Sequence, residues 1–130
     1  MKNLLGTHIS IAGGLYKSIE RATQLDINCM QIFTKSNRMW KAKPLCPNDI
    51  SAFKNKLQSS QIKEVIVHAG YLINIASDNN AVEEQSKLAL IDELERCEAL
   101  GIKSLVLHPG NSGKATESAG IKKITTNINL

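Results

Sequence analysis

Apolar and polar positions along the chain follow two different periodicities. Short apolar runs, typical of buried strands, occur at Leu4–Ile9, Cys29–Thr34, Val65–Val67 and Leu105–Leu107. Between these runs, apolar residues recur every three to four positions, which is typical of a helix with one buried face. Because each strand-like run is followed by a helical one, the pattern predicts an α/β fold with four parallel strands and outer helices.

Polar residues and glycine mark the predicted ends of the helices. Asn48 is the expected N-cap of the second helix, and Ser77 or Asp78 that of the third. Gly101 is the expected C-cap of the third helix, since glycine adopts the left-handed conformation found there. A fourth apolar stripe begins at Ile121.

Length and composition favour one soluble globular domain. The 130 residues suffice for one core and are too few for two, and no linker interrupts them, so residues 1–130 are predicted to form a single domain. No stretch reaches the roughly 18 apolar residues of a membrane span, and the N-terminus does not resemble a signal peptide. The odd number of cysteines (Cys29, Cys46 and Cys97), without metal-ligand spacing, favours a reducing, cytoplasmic environment.

The charges are distributed unevenly along a mildly basic chain. The formal net charge is +4, which is compatible with a polyanionic partner. The stretch Lys35–Lys43 carries four basic residues and no acid, whereas six of the twelve acids fall between Glu83 and Glu98. The acidic stretch is expected to be the solvated outer face of a helix, turned away from any surface that binds a polyanion.

Three of the four predicted strands end in histidine, at His8, His68 and His108. The C-terminal ends of the strands form the active face of a parallel α/β barrel. A single histidine there is more often a structural hydrogen-bonding group, but three at equivalent positions favour a metal or catalytic site.

Four segments, taken together, resemble endonuclease IV, a family of zinc-dependent nucleases that repair abasic sites. They are Gly6–Gly14, Phe33–Trp40, His68–Asn74 and Leu107–Gly110, and Arg96–Gly101 also fits. The resemblance implies a TIM-type (β/α) barrel, of which this chain holds about the first four βα units, a half-barrel. It further implies hydrolysis of the phosphodiester 5′ to an abasic site in double-stranded DNA, leaving a 3′-hydroxyl.

The resemblance also assigns roles around a trinuclear zinc cluster. His68 and His108 match two zinc-binding histidines, and neutral imidazole suits zinc. His8 matches a position beside the cluster, as a supporting residue and not a ligand, and a purely structural hydrogen bond is an equal alternative.

The segment that enters DNA in the family matches the basic loop of this chain. Arg38 occupies the position of the residue that intrudes at the lesion, and Lys35 is expected to neutralise backbone phosphate. Tyr71 matches a DNA-contacting tyrosine, and Trp40 belongs to the same surface. For Trp40 and Tyr71 the alternative is packing at the rim of the barrel.

The metal-ligand set is incomplete in this sequence. Two histidines cannot hold three zinc ions, and in the family the remaining ligands come from later strands. Glu117 is expected in an exposed loop, and the last unit breaks off at Leu130. The sequence is therefore interpreted as a domain truncated at its C-terminal end, inactive alone and prone to self-association through exposed sheet edges.

Two alternatives stay open on the sequence. A metal-dependent sugar isomerase or epimerase would also place ligands at strand ends, but it has no need of the basic loop. The chain is otherwise an inactive DNA-binding remnant, in which the loop still contacts DNA without catalysis.

Overall fold

The computed structural model describes residues 3–129, which form four consecutive βα units. The strands are β1 (Gly6–His8), β2 (Cys29–Ile32), β3 (Glu64–His68) and β4 (Ser104–Val106). The helices are α1 (Leu15–Gln24), α2 (Pro47–Gln58), α3 (Asn80–Leu100) and α4 (Glu117–Ile128). The strands pair in the order β1-β2-β3-β4 and every pairing is parallel, which confirms the predicted α/β half-barrel.

One face of the sheet packs against the helices and forms the main core. Met30 and Ile32 of β2 lie in register with Val65 and Val67 of β3, and all four side chains are buried. Phe53 of α2 is fully buried against them. Each such side chain contributes roughly 1.5–3 kcal/mol through its burial, so this layer fixes the sheet and the helices as one body.

The opposite face of the sheet is less covered within residues 3–129. Val106 of β4 is 40% exposed and Ile66 is only half-buried. The predicted self-association through the sheet edges stays a prediction. So does the single domain 1–130, of which Met1, Lys2 and Leu130 lie outside the described residues.

The start of α2 differs from the prediction. Asn48 is not the N-cap, because Pro47 already occupies the first helical position. Cys46 is the N-cap, and its Sγ accepts a hydrogen bond from the backbone N–H of Asp49 at 3.4 Å. Proline suits this position because it has no N–H to leave unsatisfied.

The ends of α3 confirm one prediction and correct another. Asn79 is the N-cap, and its Oδ1 accepts from two backbone N–H groups of the first turn at 3.0 and 3.3 Å. Ser77 is buried, and its hydroxyl instead accepts from the N–H of Asn79. Gly101 is the C-cap as predicted, with a φ of 74°.

Glu117 lies at the start of α4 and not in a loop. Its carboxylate is exposed in the first turn of the helix, where a negative charge interacts favourably with the helix dipole. The preceding residue, Thr116, caps the helix through its hydroxyl. Within residues 3–129, none of the helices combines the length and apolar character needed to cross a membrane.

Candidate metal and nucleic-acid site

The predicted histidines gather at the C-terminal edge of the sheet. The rings of His68 and His108 lie 5.1 Å apart between centroids. Phe33, directly after β2, joins His8 to this pair, at 4.5 Å from His8 and 5.7 Å from His68. The parallel register accounts for this arrangement, since strands that run in the same direction end at the same edge.

His68 is held in an orientation suited to metal binding. Its Nδ1 lies 2.8 Å from the carbonyl oxygen of Ala69, and a carbonyl can only accept, so the proton is on Nδ1. The Nε2 atom then carries the lone pair. Metal-binding histidines commonly have this second hydrogen bond, which fixes the tautomer and the ring plane.

The two histidines fit part of a zinc site. His108 is exposed at this edge of the sheet, beside the ring of His68. In the part of the chain that the structure describes, no group of three or more histidine, cysteine, aspartate or glutamate residues is placed to hold a metal ion. Since zinc usually takes four ligands, the pair can supply two of them and does not complete a site.

His8 has a hydrogen-bonding partner within the sheet. Its Nδ1 contacts Oε1 of Gln31 at 3.0 Å, across the β1–β2 pairing. The imidazole also packs on the ring of Phe33, which in turn packs on the ring of His68. This geometry fits a supporting position beside the histidine pair as well as a structural hydrogen bond.

Tyr71 stands next to the histidine pair and is largely exposed. Its ring lies edge-on to His68 at 6.0 Å and to Phe33 at 5.4 Å. The side chain is nevertheless 64% exposed at this edge. Its backbone N–H donates to the carbonyl oxygen of Asn37, which joins this turn to the basic loop.

Arg38 and Trp40 of the basic loop have different environments. Arg38 is exposed, and its guanidinium makes no hydrogen bond or ion pair within the described chain. Trp40 is half-buried and packs on an apolar cluster that includes Ile73, Ala89 and Leu90. For Trp40, packing is thus established, whereas Arg38 is available to a partner.

Lys35 does not belong to the exposed surface of the loop. Its side chain is only 3% exposed, and its Nζ forms an ion pair with Asp92 and lies 3.9 Å from Glu93 Oε1. The expectation that Lys35 neutralises backbone phosphate is therefore replaced by an internal, structural role. The cause is the packing of α3 beneath the loop, which encloses the ammonium between two carboxylates.

The acidic stretch of α3 is not simply a solvated face. Glu93 is 1% exposed, and its Oε2 accepts from the hydroxyl of Thr34 at 2.6 Å while its Oε1 accepts from the N–H of Gly70 at 3.3 Å. Burial alone would raise the pKa of Asp92, but Lys35 and Arg96 outweigh it and lower that pKa. The sequence held a signal for this, because Glu93 lies at helical spacing on the buried stripe of α3 (Ser86, Leu90, Glu93, Cys97 and Leu100).

Side chains of the loop after β3 hold the loop after β4 through hydrogen bonds to its backbone. Asn74 Oδ1 accepts hydrogen bonds from the backbone N–H groups of Ala76 and Asn111, both at 3.1 Å. Asp78 Oδ2 accepts from the N–H of Lys114 at 2.8 Å. These two side chains hold the segment that follows His108; Asp78 has this role instead of the N-cap role predicted as an alternative to Ser77.

Comparison with protein families and with curated relatives agrees with this fold. The family described as a xylose isomerase-like TIM barrel matches residues 19–130. The chain is 39% identical over 122 residues to a probable endonuclease 4 of Citrifermentans bemidjiense, covering 94% of this chain and 43% of that protein. It is 42% identical over 123 residues to a probable endonuclease 4 of Chloroflexus aurantiacus, covering 95% and 43%. The chain thus spans a little under half the length of these relatives.

Solved structures agree as well. Endonuclease IV from Thermus thermophilus superposes with a TM-score of 0.83 at 32% identity, covering 96% of this chain and 46% of that one. A D-tagatose 3-epimerase-like protein superposes with a TM-score of 0.67 at 18% identity, covering 96% and 46%, which shows the shared fold alone. This chain therefore belongs to the xylose isomerase-like TIM barrel family, and its resemblance to the N-terminal portion of endonuclease IV is confirmed.

Proposed function

We propose that this chain serves in DNA repair, in a zinc-dependent nuclease that cleaves the phosphodiester 5′ to an abasic site and leaves a 3′-hydroxyl. One observation carries the proposal. The same edge of the sheet presents an imidazole pair and, 6.0 Å from His68, the exposed ring of Tyr71, whose turn is hydrogen-bonded to the loop of Arg38. The relatives at about 40% identity, named as probable endonuclease 4, support it.

His68 and His108 are the proposed zinc ligands in this chain. His68 presents Nε2, because its Nδ1–H is held by the carbonyl of Ala69. These two histidines, together with further ligands, would hold a zinc ion, which would supply a Lewis acid that activates a water. His8 is proposed to support the pair through Phe33 without binding the metal.

Arg38 and Tyr71 are the proposed DNA contacts. Arg38 offers an exposed planar cation that can stack and bind phosphate, and Tyr71 offers an exposed aromatic face. A missing base lowers the cost of opening the stack, so inserted side chains can select such a site. Trp40 is proposed to act from beneath, by holding the loop against the apolar cluster.

The sugar isomerase or epimerase alternative has fold-level support only. The epimerase-like structure shares 18% identity with this chain, against about 40% for the nuclease relatives. A sugar enzyme also gives no reason for the exposed Arg38. No contact in the described residues favours it.

The test is the binding of the 130-residue chain to two DNA duplexes, one intact and one carrying a stable tetrahydrofuran abasic analogue. We expect tighter binding to the abasic duplex, with an affinity that falls as salt rises. Arg38→Ala should weaken abasic binding roughly tenfold, the usual size of such a contact. Fluorescence anisotropy of labelled DNA measures both effects.

Lys103→Ala is the matched control, since Lys103 is an exposed cation immediately before β4, at the opposite end of the sheet. Equal losses in the two variants, or equal binding to the two duplexes, would refute the DNA proposal. The metal part is tested by zinc calorimetry on the same preparation. His68→Ala and His108→Ala should each abolish zinc binding, whereas His8→Ala should retain it.

A further inference from the structure

A buried carboxylate of α3 joins the two segments that carry the proposed DNA contacts. Glu93 accepts a hydrogen bond from Thr34, at the start of the basic loop, and another from the N–H of Gly70, one residue before Tyr71. The two oxygens of one side chain thus reach two segments that are far apart in sequence. The position of one segment depends on that of the other.

Two further contacts complete this connection. The N–H of Tyr71 donates to the carbonyl oxygen of Asn37 at 3.0 Å, so the turn and the loop also bind each other directly. Arg96, one helical turn after Glu93, donates to the carbonyl oxygen of Lys43 at the far end of the loop. Helix α3 therefore holds the basic loop at both ends, and Arg38 lies on the segment between them.

The buried charges favour a single geometry for the loop. Glu93 and the side chain of Lys35 are almost completely buried, and each lies close enough to balance the charge of the other. A buried charge without a partner is costly, so a displaced loop would lose both the hydrogen bonds and the charge balance. Within residues 3–129, every buried side-chain nitrogen and oxygen has a partner.

We propose that Glu93 is a positioning residue for DNA recognition. It fixes the loop of Arg38 relative to the turn of Tyr71, so that both side chains meet the same stretch of DNA. The purpose of this arrangement rests on the proposed function, but the fixation itself is measurable without DNA.

The DNA-free test uses Trp40, the only tryptophan of the chain, as a reporter on the loop. In Glu93→Ala, the tryptophan emission should shift to longer wavelength and acrylamide quenching should increase about twofold. Trypsin should cut after Arg38 or Lys41 roughly tenfold faster, because the loop opens locally. Leu100→Ala is the control, since Leu100 is buried in the main core, two helical turns after Glu93 at the C-terminal end of the same helix.

Glu93→Gln separates positioning from charge. Its amide oxygen can accept from Gly70 and its NH₂ can donate to the Thr34 oxygen. Lys35 keeps its ion pair with Asp92, so the loop should stay closed. Thr34→Val keeps the shape and removes one hydrogen bond, so it should loosen the loop less than Glu93→Ala does. These two variants also decide the question if Glu93→Ala does not fold.

Binding of abasic and intact duplexes provides the second readout. The preference for the abasic duplex should fall about tenfold in Glu93→Ala and remain in Glu93→Gln and Leu100→Ala. A loop no looser in Glu93→Ala than in Leu100→Ala, at equal fractions folded, would overturn the inference, as would an unchanged DNA preference despite a loosened loop. A parent chain without any abasic preference refutes the proposed function, while the tryptophan and trypsin results still decide whether Glu93 fixes the loop.

Discussion

The loops after β2 and after β4 leave the same edge of the sheet but are held in different ways. The loop at residues 33–46 carries Arg38 and is fixed from beneath by buried charged side chains of α3. The loop at residues 107–116 carries His108 and is fixed near the surface by Asn74 and Asp78. Both loops carry proposed functional residues, and each is held in place by a different kind of contact.

The difference follows from what lies under each loop. The loop after β2 passes over α3, where desolvation makes every unpartnered charge costly and so enforces pairing. The loop after β4 follows the backbone of its neighbour so closely that a Cβ at Gly110 would lie 1.9 Å from Asn74 Oδ1, and one at Gly113 would lie 2.2 Å from Asp78 Oδ1. The conformation of the first loop thus depends on paired buried charges. The conformation of the second depends on glycines, which leave room for the side chains of Asn74 and Asp78.

The largest expected effect is on the charged contacts of the first loop. Arg96→Ala should lower the free energy of unfolding by about 3 kcal/mol, since the Lys43 carbonyl and Asp92 both lose a charged donor. Urea denaturation measures this. Glu95→Ala, an exposed neighbour, should change stability by less than about 0.5 kcal/mol. Similar values for the two variants would show that buried charge does not hold this loop.

A smaller effect is expected in the second loop. Gly110→Ala should cost about 2 kcal/mol, because Gly110 has a φ of 100° and the added Cβ would also lie 2.7 Å from the backbone Cα of Asn74. Gly101→Ala is the matched control. Gly101 also has a positive φ, but a Cβ there would meet only the end of Lys54, at 3.7 Å, so about 1 kcal/mol is expected.

Thermal or urea unfolding of both glycine variants separates the cost of a positive φ from the cost of the steric clash with Asn74. If Gly110→Ala costs no more than Gly101→Ala, the close approach to Asn74 does not constrain the loop. Weaker zinc binding by Gly110→Ala alone would connect this constraint to His108, two residues earlier in the chain.

The fold and the histidine edge were predictable from the sequence because they rest on local patterns. Strand-like runs followed by helical stripes predicted four parallel units, and His68 at the end of β3 and His108 two residues after β4 lie at one edge. The positions of Tyr71 and Arg38 on that edge followed from the resemblance. These features do not depend on which charged residues are buried.

The buried charges were not predicted, since a charged residue type is usually taken as a sign of exposure. Lys35 and Asp92 are 57 positions apart, and their pairing depends on how α3 packs under the loop. Glu93 falls on the buried stripe of its helix, so periodicity identifies it, but the acidic composition of the stretch pointed the other way. The predicted N-caps of α2 and α3 were wrong because the cap depends on local details: Pro47 takes the first position of α2, and Asn79, not Ser77 or Asp78, accepts from the first turn of α3.

The smallest expected effect is the loss of folding stability at acidic pH. Asn127 and Lys123 lower the pKa of Glu83 below its ordinary 4.5, and Asp92, despite its partial burial, has a pKa below 3.8. The unfolded chain therefore takes up protons first as the pH falls. The stability that each carboxylate contributes is complete above its ordinary pKa and is lost as the pH falls through the lowered value. Because Asp92 is partly exposed, its contribution should stay under about 1 kcal/mol.

Asp92→Asn and Glu83→Gln test the acid sensitivity of the two loops separately. Asp92 belongs to the charged contacts beneath the first loop, whereas Glu83 binds Lys123 and Asn127 of the helix that follows the second. Glu83→Gln should flatten the decline of the urea midpoint below about pH 4.5, and Asp92→Asn should flatten it below about pH 3.8, since each removes one linked proton. The emission of Trp40 should shift to longer wavelength in acid before global unfolding if protonated carboxylates open the first loop. A parent midpoint that stays constant over this range would contradict the linkage, because a lowered pKa requires stability to fall with pH.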